Sequence, residues 1–325
     1  KYNGGGMDFT SSCIVAEELA RVDASCANTV VHHLAGMCCF MDGADEKQKN
    51  RYLPRVGQGN YLVGFVLTEP EAGSDAFSLK THAVPDGDEY VINGGKCFIS
   101  NVGLTDLYVI FTTVNPELRR EGITAFLVEK QTPGLTMGKS ERKMGFRASP
   151  TREMIFEDMR VPRENLLGGA GKGWELVLQS LTQTRVLIAA MSLGIAQGAM
   201  EIAVSYAKKR EQFGRPISEF QGVSFMLADM AIQVECARTL IYHLAAAIDR
   251  EDRKQHYHAC IAKCFASDTA MKVTTDAVQV LGGYGYTKEY PVERMMRDAK
   301  ATQIIEGTNQ IQRVQIARNL LKMYR

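Results

Sequence analysis

Between Gln279 and Gln312 the chain reads QVLGGYGYTKEYPVERMMRDAKATQIIEGTNQIQ, and at its centre a carboxylate, Glu306, follows Ile304 and Ile305 and precedes Gly307 and Thr308. A Glu set behind two large apolar residues is expected to be partly buried. Burial disfavours the charged form and would raise its pKa toward neutrality, where a general base works best. Gly307 lets a flat ligand approach the backbone, and Thr308 and Gln310 can hydrogen-bond it. The competing reading is that Glu306 only precedes a helix, where an acidic residue favours the dipole. These residues alone leave both readings open.

Other groups could also do chemistry. Leu67–Asp75, LTEPEAGSD, offers backbone N–H groups and the hydroxyls of Thr68 and Ser74 at the end of a strand. In Lys96–Asn101, KCFISN, Phe98 could stack on a planar ring and Ser100 could donate to it. Arg210–Ile217, REQFGRPI, closes a long helix with cations suited to a pyrophosphate. Each loop is weak alone; their order, ending in GGYGY and IIEGT, is specific. The glycines of Leu166–Trp174 suggest a phosphate loop at a glance, but no Ser or Thr follows Lys172 and no βαβ unit surrounds it, so the segment reads as a hinge. His256, His258, Cys260 and Cys264 are potential metal ligands, yet the two cysteines share a helix face while the histidines diverge, which fits no closed tetrahedral site. Adjacent His32 and His33 could face a ligand, but packed or surface roles are commoner for such residues.

The elements that would position these groups follow from periodicity. The opening KYNGGGMDF reads as a glycine-rich loop entering mid-domain, followed by helices at Thr10–Val22 (capped by Ser11 or Ser12), Cys26–Met41 and Glu46–Val56. From Tyr61 to Val161 short runs rich in Val, Ile, Phe and Tyr alternate with turn residues and no helical crossover, which predicts an all-β segment and excludes a doubly wound nucleotide fold as the core. Helices are then expected at Lys172–Arg210, Ser218–Arg250, Arg253–Leu281 and Thr308–Met323, a four-helix bundle. The fold class is α+β multidomain: an N-terminal helical domain (1–60, incomplete at its start), a middle antiparallel β-barrel or sandwich domain (61–165) and a C-terminal four-helix bundle (166–325).

Composition sets limits. The 325 residues are 45% hydrophobic and 23% charged, as in ordinary globular proteins. A net charge of +1 gives no field to hold a nucleic acid. Apolar runs such as Val186–Ala190 are far shorter than a bilayer span, and no signal peptide is evident. The eight scattered cysteines lack the spacing of a disulfide framework and favour a reducing compartment.

With LTEPEAGSDA, KCFISN, YAKKREQFGRPI, QVLGGYGY and YPVERMMRDAKATQIIEGTNQIQ in this order, the chain resembles the acyl-CoA dehydrogenase family from its first helix to its last. It is most similar to the bacterial butyryl-CoA, or short-chain, branch. The resemblance implies a homotetramer, FAD as cofactor, an acyl-CoA substrate and electron-transfer flavoprotein as electron acceptor, in the cytoplasm of a bacterium or the mitochondrial matrix of a eukaryote. It places Glu306 as the base that removes the α-proton while the β-hydride passes to FAD, giving a trans-2-enoyl-CoA. It places Phe65, Leu67, Thr68, Phe98 and Ser100 around the flavin ring. Arg210, Phe213, Gln221, Gln279 and Gly283 would meet the diphosphate and adenosine end across a subunit interface, with Thr308 and Gln310 just after the base. Ser74, Arg185, Gly307 and Arg318 would lie along the substrate and its CoA.

Departures from the family pattern refine this. Relatives of the long-chain and isovaleryl type carry their catalytic carboxylate just before the arginine of this helix, where Thr184 stands here. Ile305 replaces the usual Tyr before the base, which alters the pocket wall. Ala27 stands where decarboxylating glutaryl-CoA dehydrogenases place an Arg, so a dicarboxylic substrate is disfavoured. Val31, His32 and Leu34 are expected at the acyl-pocket floor. A short straight acyl chain is the expectation, with branched or cyclic chains open. The family's opening helices, which help receive the flavoprotein partner, are not in the sequence. A flavin oxidase, monooxygenase or desulfinase on the same scaffold, or a non-catalytic helical scaffold, are the rivals.

Overall fold

A computed structural model describes residues 2, 4–251 and 255–324. Along the chain run α1 (Phe9–Val22), α2 (Ala24–Gly43) and α3 (Glu46–Gly57), then β1 (Val63–Val66), β2 (His82–Asp86), β3 (Glu89–Ser100), β4 (Leu107–Thr113), β5 (Ile123–Glu129), β6 (Leu135–Ser140), β7 (Thr151–Pro162) and β8 (Leu166–Leu167). After them come α4 (Gly173–Lys209), the short strands β9 (Glu211–Gln212) and β10 (Arg215–Pro216), α5 (Gln221–Asp249), α6 (His256–Leu281), α7 (Val292–Thr302) and α8 (Asn309–Met323). The chain forms two compact units, one of Lys1–Gly6, Thr29–Arg142 and Ser149–Thr184, the other of Met7–Asn28, Lys143–Ala148 and Arg185–Arg325.

The first unit is built on an eight-stranded sheet in the order β6-β7-β3-β2-β4-β5-β8, with β1 paired to β4. The expected antiparallel pairing holds for β3 with β7 and β4 with β5, while β1 and β2 meet β4 in parallel, so the sheet is mixed. Strand β4 is buried along its whole length. Its Leu107, Val109 and Phe111 face a core with Phe40, Tyr52 and Leu53 of α2 and α3, and its Tyr108 and Ile110 face a second core with Tyr90, Ile92 and Phe156. Alternation along a strand sends neighbours to opposite faces, so a strand covered on both sides must be apolar throughout. EYVING and KCFIS, which read as two runs, are the single strand β3, whose register slips between Ile92 and Gly94 and again between Lys96 and Ile99.

The second unit holds α1, most of α4 and α5 to α8, with corrections to what the sequence leads one to expect. The cap of α1 is Asp8, whose carboxylate accepts from Ser11 N at 2.7 Å, rather than Ser11 or Ser12. Helix α7 was not anticipated, although Val292, Met295, Ala299 and Thr302 form its buried face at helical spacing and Pro291 immediately precedes it. The expected start of α6 at Arg253 lies outside the described residues; the helix runs from His256. Helix α4 is long and apolar enough to cross a membrane, which its broken apolar runs concealed, but its most apolar window is 78% buried, so it is a core helix. All eight cysteines are free.

Helix α1 lies against the backbone of α4. A Cβ at Gly194 would stand 2.1 Å from the carbonyl oxygen of Glu17, and one at Gly198 2.2 Å from that of Arg21. Helix propensity alone would make Gly194→Ala stabilising by about 1 kcal/mol. The carbonyl contact reverses the sign, and a net loss of about 1–3 kcal/mol is expected from overpacking. A lowered Tm for this variant is the check; a raised one would show that α1 can retreat. The same contact carries a polar network, with buried Glu17 accepting from Tyr242 Oη at 2.5 Å and from Arg238, whose Nη2 donates to Gln197 at 2.9 Å.

Candidate active site

Glu306 sits in the turn between α7 and α8. The N–H groups of Ile304 and Ile305 bond back to Ala301 O at 2.9 and 3.0 Å, and Thr308 caps α8 by accepting from Ile311 N at 3.3 Å. Between them Glu306 (φ 53°) and Gly307 (φ 86°) lie in the left-handed region. For a residue with a Cβ this costs on the order of 1 kcal/mol or more and persists only where the surroundings impose it. Here they do. Gln312 Nε2 donates to the carbonyls of Glu306 at 3.0 Å and Gly307 at 2.9 Å, and Arg185 Nε reaches the Glu306 carbonyl at 3.5 Å. Lys263 Nζ donates to Gly307 O at 3.0 Å and to Asn309 Oδ1 at 2.9 Å. Asn309 is in turn held by Ser267 Oγ and Asp268 Oδ1. The base is thus aimed by its main chain, and it is half-buried, as its apolar flank implied.

The charges around the turn are displaced from their ordinary values. Burial brings Lys263 down to about 7, with Glu306 opposing the fall. Burial also lowers Arg185, against the pull of Cys260 and Glu306. His256 is pushed down to about 4 by burial and by the Arg185 cation. Arg185 Nη1 meets His256 Nδ1 at 3.4 Å and Cys260 Sγ at 3.5 Å, so half of the His/Cys cluster noted in the sequence packs around this arginine. Among the described residues no three His, Cys, Asp or Glu side chains gather to hold a metal.

A second group of candidates lies elsewhere in the same unit. Arg210 and Gly283 line a cavity of about 470 Å³ together with Tyr206, Gln212, Ile217 and Val280. Next to Arg210, Phe213 (φ 52°) and Gly214 (φ 79°) form the turn joining β9 to β10, both in the left-handed region. The ring of Phe213 is 95% exposed. A strained, fully exposed Phe is poor economy unless a ligand or another chain covers it. Gln221 is exposed as the first residue of α5, and Gln279 is exposed in the last turn of α6, where its carbonyl accepts from Gly282 N. Gln310 and Arg318 are exposed on α8.

In the first unit, the register slip in β3 leaves Lys96 and Cys97 buried and turns Phe98 (φ 56°) outward, 68% exposed. Cys97 N donates to Thr68 O at 3.0 Å, which ties the Phe98 segment to the LTEPEAGSD loop. Beneath that loop Lys96 Nζ donates to Leu67 O and Glu69 Oε1, both at 2.8 Å, and the Glu69 carboxylate also accepts from Lys80 N at 2.6 Å and Thr81 N at 3.1 Å. Ser100 ends β3 opposite Thr151, and Ser74 is exposed. Phe65 is half-buried with its ring 5.2 Å from Phe111, and Leu67 is buried. His33 Nδ1 accepts from Val63 N at 3.0 Å, a packed role, and burial lowers its pKa.

The structure therefore gathers Glu306, Gly307, Thr308 and Arg185 in one place, Arg210 and Gly283 in another, and Thr68 with the Phe98 segment in a third. Sequence reasoning passed over Lys263, Asn309, Gln312, Asp268 and the Lys96–Glu69 pair. The available signal was a lysine flanked by small and apolar residues in IAKCFAS and GGKCFIS, since lysine is rarely buried without a purpose.

Three family models match the chain in order: Acyl-CoA dehydrogenase, N-terminal domain, over residues 1–60; its middle domain over 64–159; and its C-terminal domain over 171–321. The cyclohex-1-ene-1-carbonyl-CoA dehydrogenase of Geobacter metallireducens is 49% identical over 321 residues, covering 98% of this chain and 84% of the relative. The structure of butyryl-CoA dehydrogenase from Megasphaera elsdenii superposes with a TM-score of 0.95 at 45% identity, covering 98% of this chain and 83% of that one. A chain from a structure of the electron transferring flavoprotein of Acidaminococcus fermentans superposes with a TM-score of 0.96 at 48% identity, covering 98% and 84%.

Proposed function

This chain belongs to the acyl-CoA dehydrogenase family of oxidoreductases, and on that premise we propose that it oxidises a short-chain acyl-CoA to the trans-2-enoyl-CoA with Glu306 as the base. The observation that carries the proposal is the strained turn of Glu306, half-buried and pinned through its own carbonyl and that of Gly307. A carboxylate displayed this way is held for contact with something outside its own chain segment.

Members of the family depend on FAD, and the residues present fit it. Phe98 and Phe213 are large rings held outward by left-handed backbone, which a planar or aromatic partner would cover. Arg210 beside the open backbone of Gly283 suits a diphosphate. Thr68, Ser100, Gln221, Gln279, Thr308 and Gln310 would supply the remaining polar contacts. Bound FAD would supply the acceptor for the hydride leaving the substrate's β-carbon.

The remaining work falls to this chain. Glu306 would take the α-proton, and its backbone N–H would donate to the thioester oxygen as negative charge develops there. Such a donor is useful only if it does not move, and the three anchors from Arg185, Lys263 and Gln312 fix the turn. Ser74, Gly307 and Arg318 would contact the CoA-bearing substrate. The likeness to the Acidaminococcus chain supports an electron-transfer flavoprotein as partner, and the family resemblance supports a homotetramer.

Anaerobic addition of butyryl-CoA to the purified yellow protein is expected to bleach the flavin band and raise a long-wavelength charge-transfer band. A protein without FAD would refute the proposal. The 49%-identical Geobacter relative favours one second reading, a cyclic acyl-CoA. Bleaching by cyclohex-1-ene-1-carbonyl-CoA but not by butyryl-CoA would select it. Rapid reoxidation of the reduced protein by oxygen would instead favour an oxidase on this scaffold.

A further inference from the structure

Lysine is costly to bury, because its ammonium gives up water that a few protein oxygens must replace. Lys263, on α6, is fully buried, and both oxygens its Nζ bonds, Gly307 O at 3.0 Å and Asn309 Oδ1 at 2.9 Å, are neutral. A methionine could fill the same space without the cost. What the ammonium adds is a grip on the residue after the base and a positive charge within reach of the Glu306 carboxylate.

We propose that Lys263 is a positioning residue for Glu306: it holds the left-handed turn that displays the base in place. This rests on the assignment of Glu306 as the base. The second anchor explains how the amine itself is kept still. Asn309 receives it through Oδ1 and is locked by Nδ2, which donates to Ser267 Oγ at 2.9 Å and Asp268 Oδ1 at 2.8 Å. Asp268 is fixed by Gln303 Nε2 and Arg313 Nη2, both at 2.6 Å, so the clamp runs from α6 to the first turns of α8.

The charged and titratable groups that act on Lys263 are Glu306 from the turn, Cys264 and Asp268 from α6, and Arg185 from α4. Burial pushes the thiol of Cys260, also on α6, up, with Arg185 and then Lys263 opposing the rise. Burial brings Lys263 to about 7, with Glu306, Cys264 and Asp268 resisting and Arg185 assisting. The ammonium is therefore in place on the acid side of neutrality, held at the turn by its two acceptors.

The test is Lys263→Met in the full-length FAD protein, read as kcat and KM by steady-state kinetics with the acyl-CoA that reduces the wild type. kcat is expected to fall on the order of 100-fold, the scale of a small misplacement of a reacting group, with FAD content unchanged. KM is expected to change far less than kcat, because the clamp grips the turn of the base and not the substrate. A wild-type kcat or a loss confined to KM would overturn the proposal, as would a variant whose whole deficit is lost FAD with normal kcat per flavin. Should Lys263→Met fail to fold, Asn309→Ala decides, since it keeps the amine and removes its second acceptor: lowered kcat per flavin supports the role and wild-type kcat refutes it. A wild type that no acyl-CoA reduces refutes the functional reading instead, and so separates the two failures.

Discussion

Glu306→Gln is expected to lower turnover by about 10²–10⁴-fold, the usual contribution of a positioned general base, while leaving FAD content at the wild-type ratio. The reasoning is geometric. Gln has the shape of Glu and carries no basic oxygen at neutral pH. The turn that displays it is held by hydrogen bonds to the carbonyls of residues 306 and 307, which the substitution leaves in place. Stopped-flow flavin reduction by acyl-CoA, beside the flavin-to-protein absorbance ratio, separates chemistry from binding. Full activity would remove Glu306 from the role.

Lys96→Met is expected to cost about 3–5 kcal/mol of stability, because it leaves the Glu69 carboxylate buried without its cation. Exposed pairs such as Arg160 with Asp86 are each worth no more than about 1 kcal/mol. Lys96 and Glu69 differ in that their side chains are 0% and 4% exposed. Burial alone would raise Glu69, but the Lys96 charge and the bonds from Lys96, Lys80 and Thr81 outweigh it, and its pKa is lowered. In the wild type that lowered value contributes stability above the ordinary carboxylate range and is lost as pH falls through the folded value. Lys96 works the other way. Burial lowers it to about 8, so its ammonium opposes folding below that pH, and the opposition fades between 8 and 10.5. Without Lys96 the buried Glu69 would prefer its proton, and acid would help the variant where it harms the wild type. The gap between the two in chemical denaturation should therefore narrow from pH 7 toward pH 4.5. A gap independent of pH would show that shape and not charge is what Lys96 provides.

The parts of this molecule that could be read from the sequence are those set by local pattern. Short β-branched runs marked β4 and β5 because both are buried, and helical spacing marked α1 to α6 and α8. Gly94 and Gly95 misled in the opposite sense, splitting β3 in two, since a glycine that permits a bulge looks the same in sequence as one that ends a strand. β6 passed unnoticed because a half-exposed strand such as LTMGKS lacks an apolar signature. At the site, Glu306 with Gly307 and Thr308 was legible as a motif. The lysine beneath them was not, because whether a lysine at position 263 meets solvent or Gly307 depends on how α6 and α8 dock, which no window of sequence contains.

That dependence bears on the order in which the protein matures. The left-handed turn at 306–307 has local help from Gly307 and from Gln312 of α8, but Glu306 is held there by distant groups as well. Two of its three clasps arrive from residues 121 positions away at Arg185 and 44 away at Lys263, the spans of the bonds they make. Closing loops of that length is slow compared with winding the helices. Helical circular dichroism would return before the catalytic geometry during refolding, and regained turnover would report the last docking event of the C-terminal helices.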